Sequence, residues 1–170
     1  MDYRRINLLR QLQWLYLRLL AMKLRQQISG GKIEAGEALA TLAASAVGID
    51  VSPNDVAPDE LGCAESVSEL INLLMPFKIQ TFTGYLNDQL ISDRRITGSV
   101  YEFRPGDIVV SPTPFPGSPK IGHTAIIGRG GKWYSNSSYS GVWEQNYDYI
   151  SWRLRYQVKL GLPLNVFRLM

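Results

Sequence analysis

The sequence predicts an α+β domain in which helices come first and a mostly antiparallel sheet second. Three observations predict it. Helical periodicity and Ala/Leu-rich runs dominate the first 92 residues. After Gly98, short β-branched runs alternate with Gly and Pro turns. A length of 170 residues, 45% hydrophobic and 19% charged, suits one compact core and is too short for two full-sized domains. The expected organisation is a basic amphipathic helix over residues 1–32, followed by one domain over residues 33–170.

Residues 4–28 read as one long helix. Leu8, Leu12, Leu15, Leu19 and Met22 recur at alternating four- and three-residue steps, while Arg4, Gln11, Arg18 and Arg25 recur every seven on another stripe. Ser29-Gly30-Gly31 stops the helix and supplies a hinge, which suits an appendage. Two roles stay open for it: its apolar stripe packs on its own domain or on a neighbouring copy in a coiled coil, or the basic helix, with Trp14 and Tyr16, lies on a membrane surface.

A second helix is expected over residues 33–47, closed by Gly48 and followed by the turn Ser52-Pro53-Asn54-Asp55. Pro58-Asp59-Glu60 opens a third, over residues 62–74, which Pro76 stops. A fourth covers residues 83–92 with Thr83 as its cap. Arg104-Pro105-Gly106-Asp107 is then a turn and residues 108–110 a buried strand. A proline-rich loop spans residues 111–120, and residues 122–128 and 132–137 form a hairpin about Gly130-Gly131. Residues 142–147 and 165–169 are further strands.

The net charge of +3 hides an uneven distribution: +6 over residues 1–32, −8 over 33–107 and +5 over 108–170. The acidic middle argues against nucleic acid as a partner. No apolar run reaches the length of about 20 residues that a membrane span requires. Arg18 splits the only run that imitates a signal peptide, and no small-residue cleavage site follows it cleanly. One cysteine and one histidine exclude an intrachain disulfide and a Cys/His zinc cluster, so the expected chemistry uses no metal and no cofactor.

Cys63 falls at the start of the third helix, where free backbone N–H groups and the helix dipole favour a thiolate and an oxyanion. The competing reading is a small buried hydrophobe. His123 begins an apolar strand after Gly122 and is the only base available to a Cys/His pair; its competing reading is a structural histidine. Asn136, on the return strand, is expected to orient the imidazole. Ser135 points to the opposite face and is the competing choice, which a register slip of one residue would exchange with it. Trp133 and Trp143 suit hairpin packing, whereas Tyr139 in a Ser-rich loop suits a substrate contact.

The stretches Gly62-Cys63-Ala64-Glu65-Ser66-Val67, Arg104-Pro105-Gly106-Asp107-Ile108-Val109-Val110 and Gly122-His123-Thr124-Ala125-Ile126-Ile127-Gly128 resemble the NlpC-like and CHAP superfamily of papain-like cysteine amidohydrolases and peptidases. Ser135-Asn136-Ser137-Ser138 and Gly141-Val142-Trp143-Glu144-Gln145-Asn146-Tyr147 look like its phage-encoded branch. The resemblance spans roughly residues 34–170. It implies a papain-like fold, with helices packed on a small antiparallel sheet. It also implies Cys63 as nucleophile, His123 as general base and then acid, and Asn136 as the orienting group. The implied substrates are amide bonds of bacterial peptidoglycan, cut by an endopeptidase or an amidase. Access to the wall would come from lysis, a virion or another export route. Many NlpC-like enzymes carry a second histidine at the third position, and this chain has none. The alternatives are a non-catalytic structural or wall-binding protein of the same fold, and an acyl-transfer or deamidating enzyme acting on proteins.

Overall fold

The computed structural model describes residues 3–52, 62–98 and 101–170, with side chains from residue 8 onward. The helices are α1 (Tyr3–Ser29), α2 (Ala35–Ser45), α3 (Gly62–Leu74) and α4 (Thr83–Ser92). The strands are β1 (Ile96–Gly98), β2 (Ile108–Ser111), β3 (His123–Ile127), β4 (Trp133–Asn136), β5 (Trp143–Tyr147) and β6 (Asn165–Leu169). Between β5 and β6 lies α5 (Tyr149–Trp152), continued by a π-helical turn over Arg153–Lys159. The architecture is therefore α+β, as the patterning predicts. The turn expected at residues 52–55 falls, from residue 53 on, outside the described residues, as does the helix opening at residues 58–60.

The six strands form one antiparallel sheet in the order β1-β6-β2-β3-β4-β5, with the C-terminal strand inserted between β1 and β2. Both faces of its centre are covered, which is why β2 and β3 read as continuous apolar runs without alternation. One face carries Ile108, Val110, Ile126, Tyr134, Trp143 and Phe167 against α1, α2 and α3. The other carries Val109, Ala125, Ile127 and Trp133 beneath Trp152, Tyr156 and Leu162.

The C-terminal half of α1 packs against α2 and α3 through Leu17, Ala21 and Leu24, all buried in the main core. The apolar stripe that the sequence singles out lies on the opposite side: Leu8, Leu12, Leu15, Leu19 and Met22 are each about half exposed, between 49% and 56%. The helix thus has two apolar faces, and the shorter one, Leu17, Ala21 and Leu24, docks it to its own domain. No helix among the described residues is long and apolar enough to cross a membrane.

The Arg-Pro-Gly-Asp turn before β2 is a structural anchor. Gly106 has φ +90°, and a Cβ there would meet the Gly36 carbonyl oxygen of α2 at 1.8 Å, so only glycine fits. Gly106 N–H donates to the Ile127 carbonyl, and Ile127 N–H to the Asp107 carbonyl. The Asp107 side chain is fully buried. Its carboxylate accepts a two-pronged bond from Arg168 of β6 (2.7 and 2.8 Å) and a third from Arg104 N–H (2.7 Å). These bonds lock the start of β2 to both neighbouring strands.

Two smaller elements depart from expectation. Thr83 is not the cap of α4, because Phe82 occupies that place without a side-chain bond. The Thr83 hydroxyl is turned toward the loop after β2, where it accepts from Thr113 N–H (2.9 Å) and pairs with the Thr113 hydroxyl (3.0 Å). α5 was not foreseen, although its signal stands in the sequence: Asp148 and Ser151 make a reciprocal capping box.

Candidate active site

The site lies where α3 begins against the first residues of β3. Cys63 is 4% exposed, in the first turn of α3. Its sulfur sits within the reach of the N–H groups of Ala64, Thr124 and Cys63 itself. Thr124 directly follows His123, so the thiol lies against the start of the strand that carries the histidine. Gly122 closes this corner from the other side: its N–H donates to Thr113 Oγ1 (2.8 Å), and a Cβ on it would strike the Ser111 carbonyl. The Thr83–Thr113–Gly122 chain of bonds therefore fixes where His123 enters the sheet.

His123 is buried under three rings, with centroids of Tyr147, Trp152 and Tyr156 at 5.6, 5.6 and 5.7 Å; Trp152 and Tyr156 lie nearly parallel to it. Its Nε2 is 2.9 Å from Ser135 Oγ, and Ser135 Oγ donates in turn to Asn146 Oδ1 at 2.6 Å. Nε2 is thus engaged by Ser135. The side chain bonded to the imidazole is Ser135, with Asn146 behind it, and not Asn136, which the sequence reading expected there. The reason is register. Ile126 pairs with Tyr134, so residues 123, 125, 133 and 135 share one face of the sheet, whereas Asn136 shares the other with Tyr134. The 3₁₀ turn over Arg129–Gly131 makes the loop longer than a two-residue hairpin and sets this phase.

Asn136 is at the site nonetheless, by another route. Its carboxamide packs against Gly62, where an added Cβ would lie 2.8 Å from Nδ2, so the α3 start and the end of β4 are in contact. Asn136 is 3% exposed, and its Oδ1 has no hydrogen-bond partner among the described residues. Cys63, His123 and Asn136 all line one cleft of about 570 Å³. Its remaining wall comes from Ser137, Ser138 and Tyr139 after β4, Asn146 and Tyr147 of β5, Arg155 and Tyr156 of the π-turn, Leu160 after it, and Pro119, Ile121 and Gly122 of the loop before β3. The sequence reading missed Asn146, Tyr147, Arg155 and Tyr156. The four-residue spacing of Trp152 and Tyr156 was the available signal, since it puts both rings on one helical face. Trp133 and Trp143 are core residues as expected, and Tyr139 is 99% exposed at the rim.

Electrostatically, burial dominates both reactive groups. It pushes the Cys63 thiol up to about 11, against the smaller pull of the surrounding N–H groups. Burial, and then the positive charge of Arg155, hold the His123 imidazole down to about 3. Burial thus works against the thiolate that the helix start favours, and against a charged imidazole. Tyr156 is pushed above its ordinary value by burial and by its bond to Tyr147, so it stays a phenol. Compared with protein-family models, curated proteins and solved structures, the chain matches none.

Proposed function

We propose that the chain is a cysteine-dependent hydrolase of amide bonds that works through an acyl-enzyme on Cys63, in a papain-like arrangement. The observation that carries this reading is the single cleft that Cys63, His123 and Asn136 line together. In the proposed reaction the sulfur attacks the amide carbon while His123 Nδ1 takes the thiol proton. The oxyanion that forms is held by Cys63 N–H at the α3 start and by the carboxamide of Asn136. The tetrahedral adduct collapses as His123 returns the proton to the leaving amine. Water, deprotonated by the same imidazole, then hydrolyses the thioester. Ser135 and Asn146 act as positioning residues that hold the ring.

The substrate class rests on the resemblance to cell-wall hydrolases, which proposes amide bonds of bacterial peptidoglycan and a place of action at the wall. Polar, open lining by Ser137, Ser138, Tyr139 and Asn146 supports a glycopeptide in preference to an apolar ligand. The test is incubation with purified sacculi, following new amino groups. Wild type releases them and Cys63→Ala does not; release by Cys63→Ala at the wild-type rate overturns the mechanism. One observation favours a non-catalytic wall-binding protein instead: Cys63 and His123 are both buried, as two structural groups would be. Under that reading wild type binds sacculi and releases nothing.

A further inference from the structure

The proposed reaction leaves one group of the cleft without a task. Arg155 is the only charged residue among those lining it, and it comes from the π-helical turn that roofs His123. No carboxylate among the described residues pairs with it. Its guanidinium lies 5.7 Å from the ring centre of Tyr156, a cation–π contact at the wall of the cleft that uses the face of the planar head and none of its N–H donors. Every other polar group there, from Ser137, Ser138, Tyr139, Asn146 and Asn136, is uncharged.

We propose that Arg155 forms an anion subsite and that the substrate carries a carboxylate beside the bond that Cys63 attacks. The inference deepens the hydrolase reading and rests on it for the word substrate; the subsite itself rests on geometry. A guanidinium offers a carboxylate two parallel N–H bonds, and the neighbouring hydroxyls complete its solvation. The arrangement also resolves a conflict in the chemistry. The imidazolium formed during acylation arises close to an unpaired positive charge, which opposes it. A substrate carboxylate paired with Arg155 cancels that charge, so the base gains strength only when the correct substrate is bound. A carboxamide analogue binds the same cleft without this gain, and selectivity then falls on kcat more than on KM.

The test needs no turnover. Cys63 is alkylated in parallel with iodoacetate and with iodoacetamide, which differ in one charge; in each, the sulfur–carbon bond forms and iodide leaves. The iodoacetate-to-iodoacetamide rate ratio is expected to fall about fivefold in Arg155→Gln, the upper end for an ion pair open to water, and to be retained in Arg155→Lys. An equal ratio in wild type and Arg155→Gln overturns the proposal. A second measurement uses unmodified protein: N-acetylglutamate should shift the backbone amide resonances of residues 137–139 at concentrations where N-acetylglutamine does not. Equal shifts from the two overturn the proposal as well. Sacculi left intact by a protein that still prefers iodoacetate would remove the hydrolase reading and keep the anion subsite. Sacculi cut by a protein with no preference would do the reverse.

Discussion

At the residue scale, burial makes Cys63 and His123 linked reporters of folding. The imidazole falls from 6.5 to about 3 on folding, so the unfolded chain binds the extra proton between those values. The stability this group contributes is complete above pH 6.5 and is lost as pH falls toward 3. The thiol rises from 9.0 to about 11, so its contribution is complete below pH 9 and is lost as pH rises toward 11. Denaturant midpoints measured across pH should fall at both ends, and His123→Gln should flatten the acid limb. Alkylation by iodoacetamide should climb about tenfold per pH unit from 8 to 10 without levelling. A plateau below 8.5 would mean a thiolate–imidazolium pair at rest. The relay assigns different consequences to two neighbours. Ser135→Ala should lower kcat with KM little changed, and the pH profile should shift with the freed imidazole. Asn136→Ala should lower kcat about 10²-fold or more by removing an oxyanion donor. Comparable kinetics for wild type and Ser135→Ala would return the third position to Asn136.

At the element scale, the turn at residues 104–107 holds the sheet together for reasons of charge. Asp107 is buried and its charge is answered by Arg168. Truncating Arg168 to Ala strands that carboxylate and should cost about 3–5 kcal/mol, read as a shifted denaturant midpoint. Asp107→Asn with Arg168→Leu should recover part of the loss, because no buried charge then remains. Long elements with punctuation were legible in the sequence. α3 and α4 occupy the expected spans; for α3 a helical period and the stop at Pro76 agree. The strands from β2 to β6 were legible as β-branched or aromatic runs between Gly and Pro turns. β1 was not, since three residues of β-structure carry no pattern of their own and pair only because β6 returns beside them. The π-turn was not legible either, as its backbone is set by packing over His123. Cys63 and His123 were legible as single residues of their kinds. The choice between Ser135 and Asn136 was not, because it depends on the phase of a hairpin whose turn length the sequence leaves open.

At the scale of the whole molecule, α1 sits between its own domain and solvent with apolar residues on both sides. The periodicity of the exposed stripe hides that of the packed one, so of the roles the pattern left open for the stripe, packing on its own domain falls to Leu17, Ala21 and Leu24 instead. Leu17→Ala should cost about 2–5 kcal/mol by opening a cavity, while Leu19→Ala should stay within about 0.5 kcal/mol. Equal losses would mean that the stripe is covered in solution. The sheet edge, the α3 start and the π-turn meet at one cleft, and the function proposed for it makes a chemical claim: an acyl group is transferred to Cys63. The most direct measurement is the intact mass of protein quenched in acid during turnover of peptidoglycan fragments. The account predicts a substrate-sized adduct on Cys63 that hydroxylamine removes, absent from Cys63→Ala. Fragments cut equally well by Cys63→Ala, with no adduct on the wild type, would contradict it.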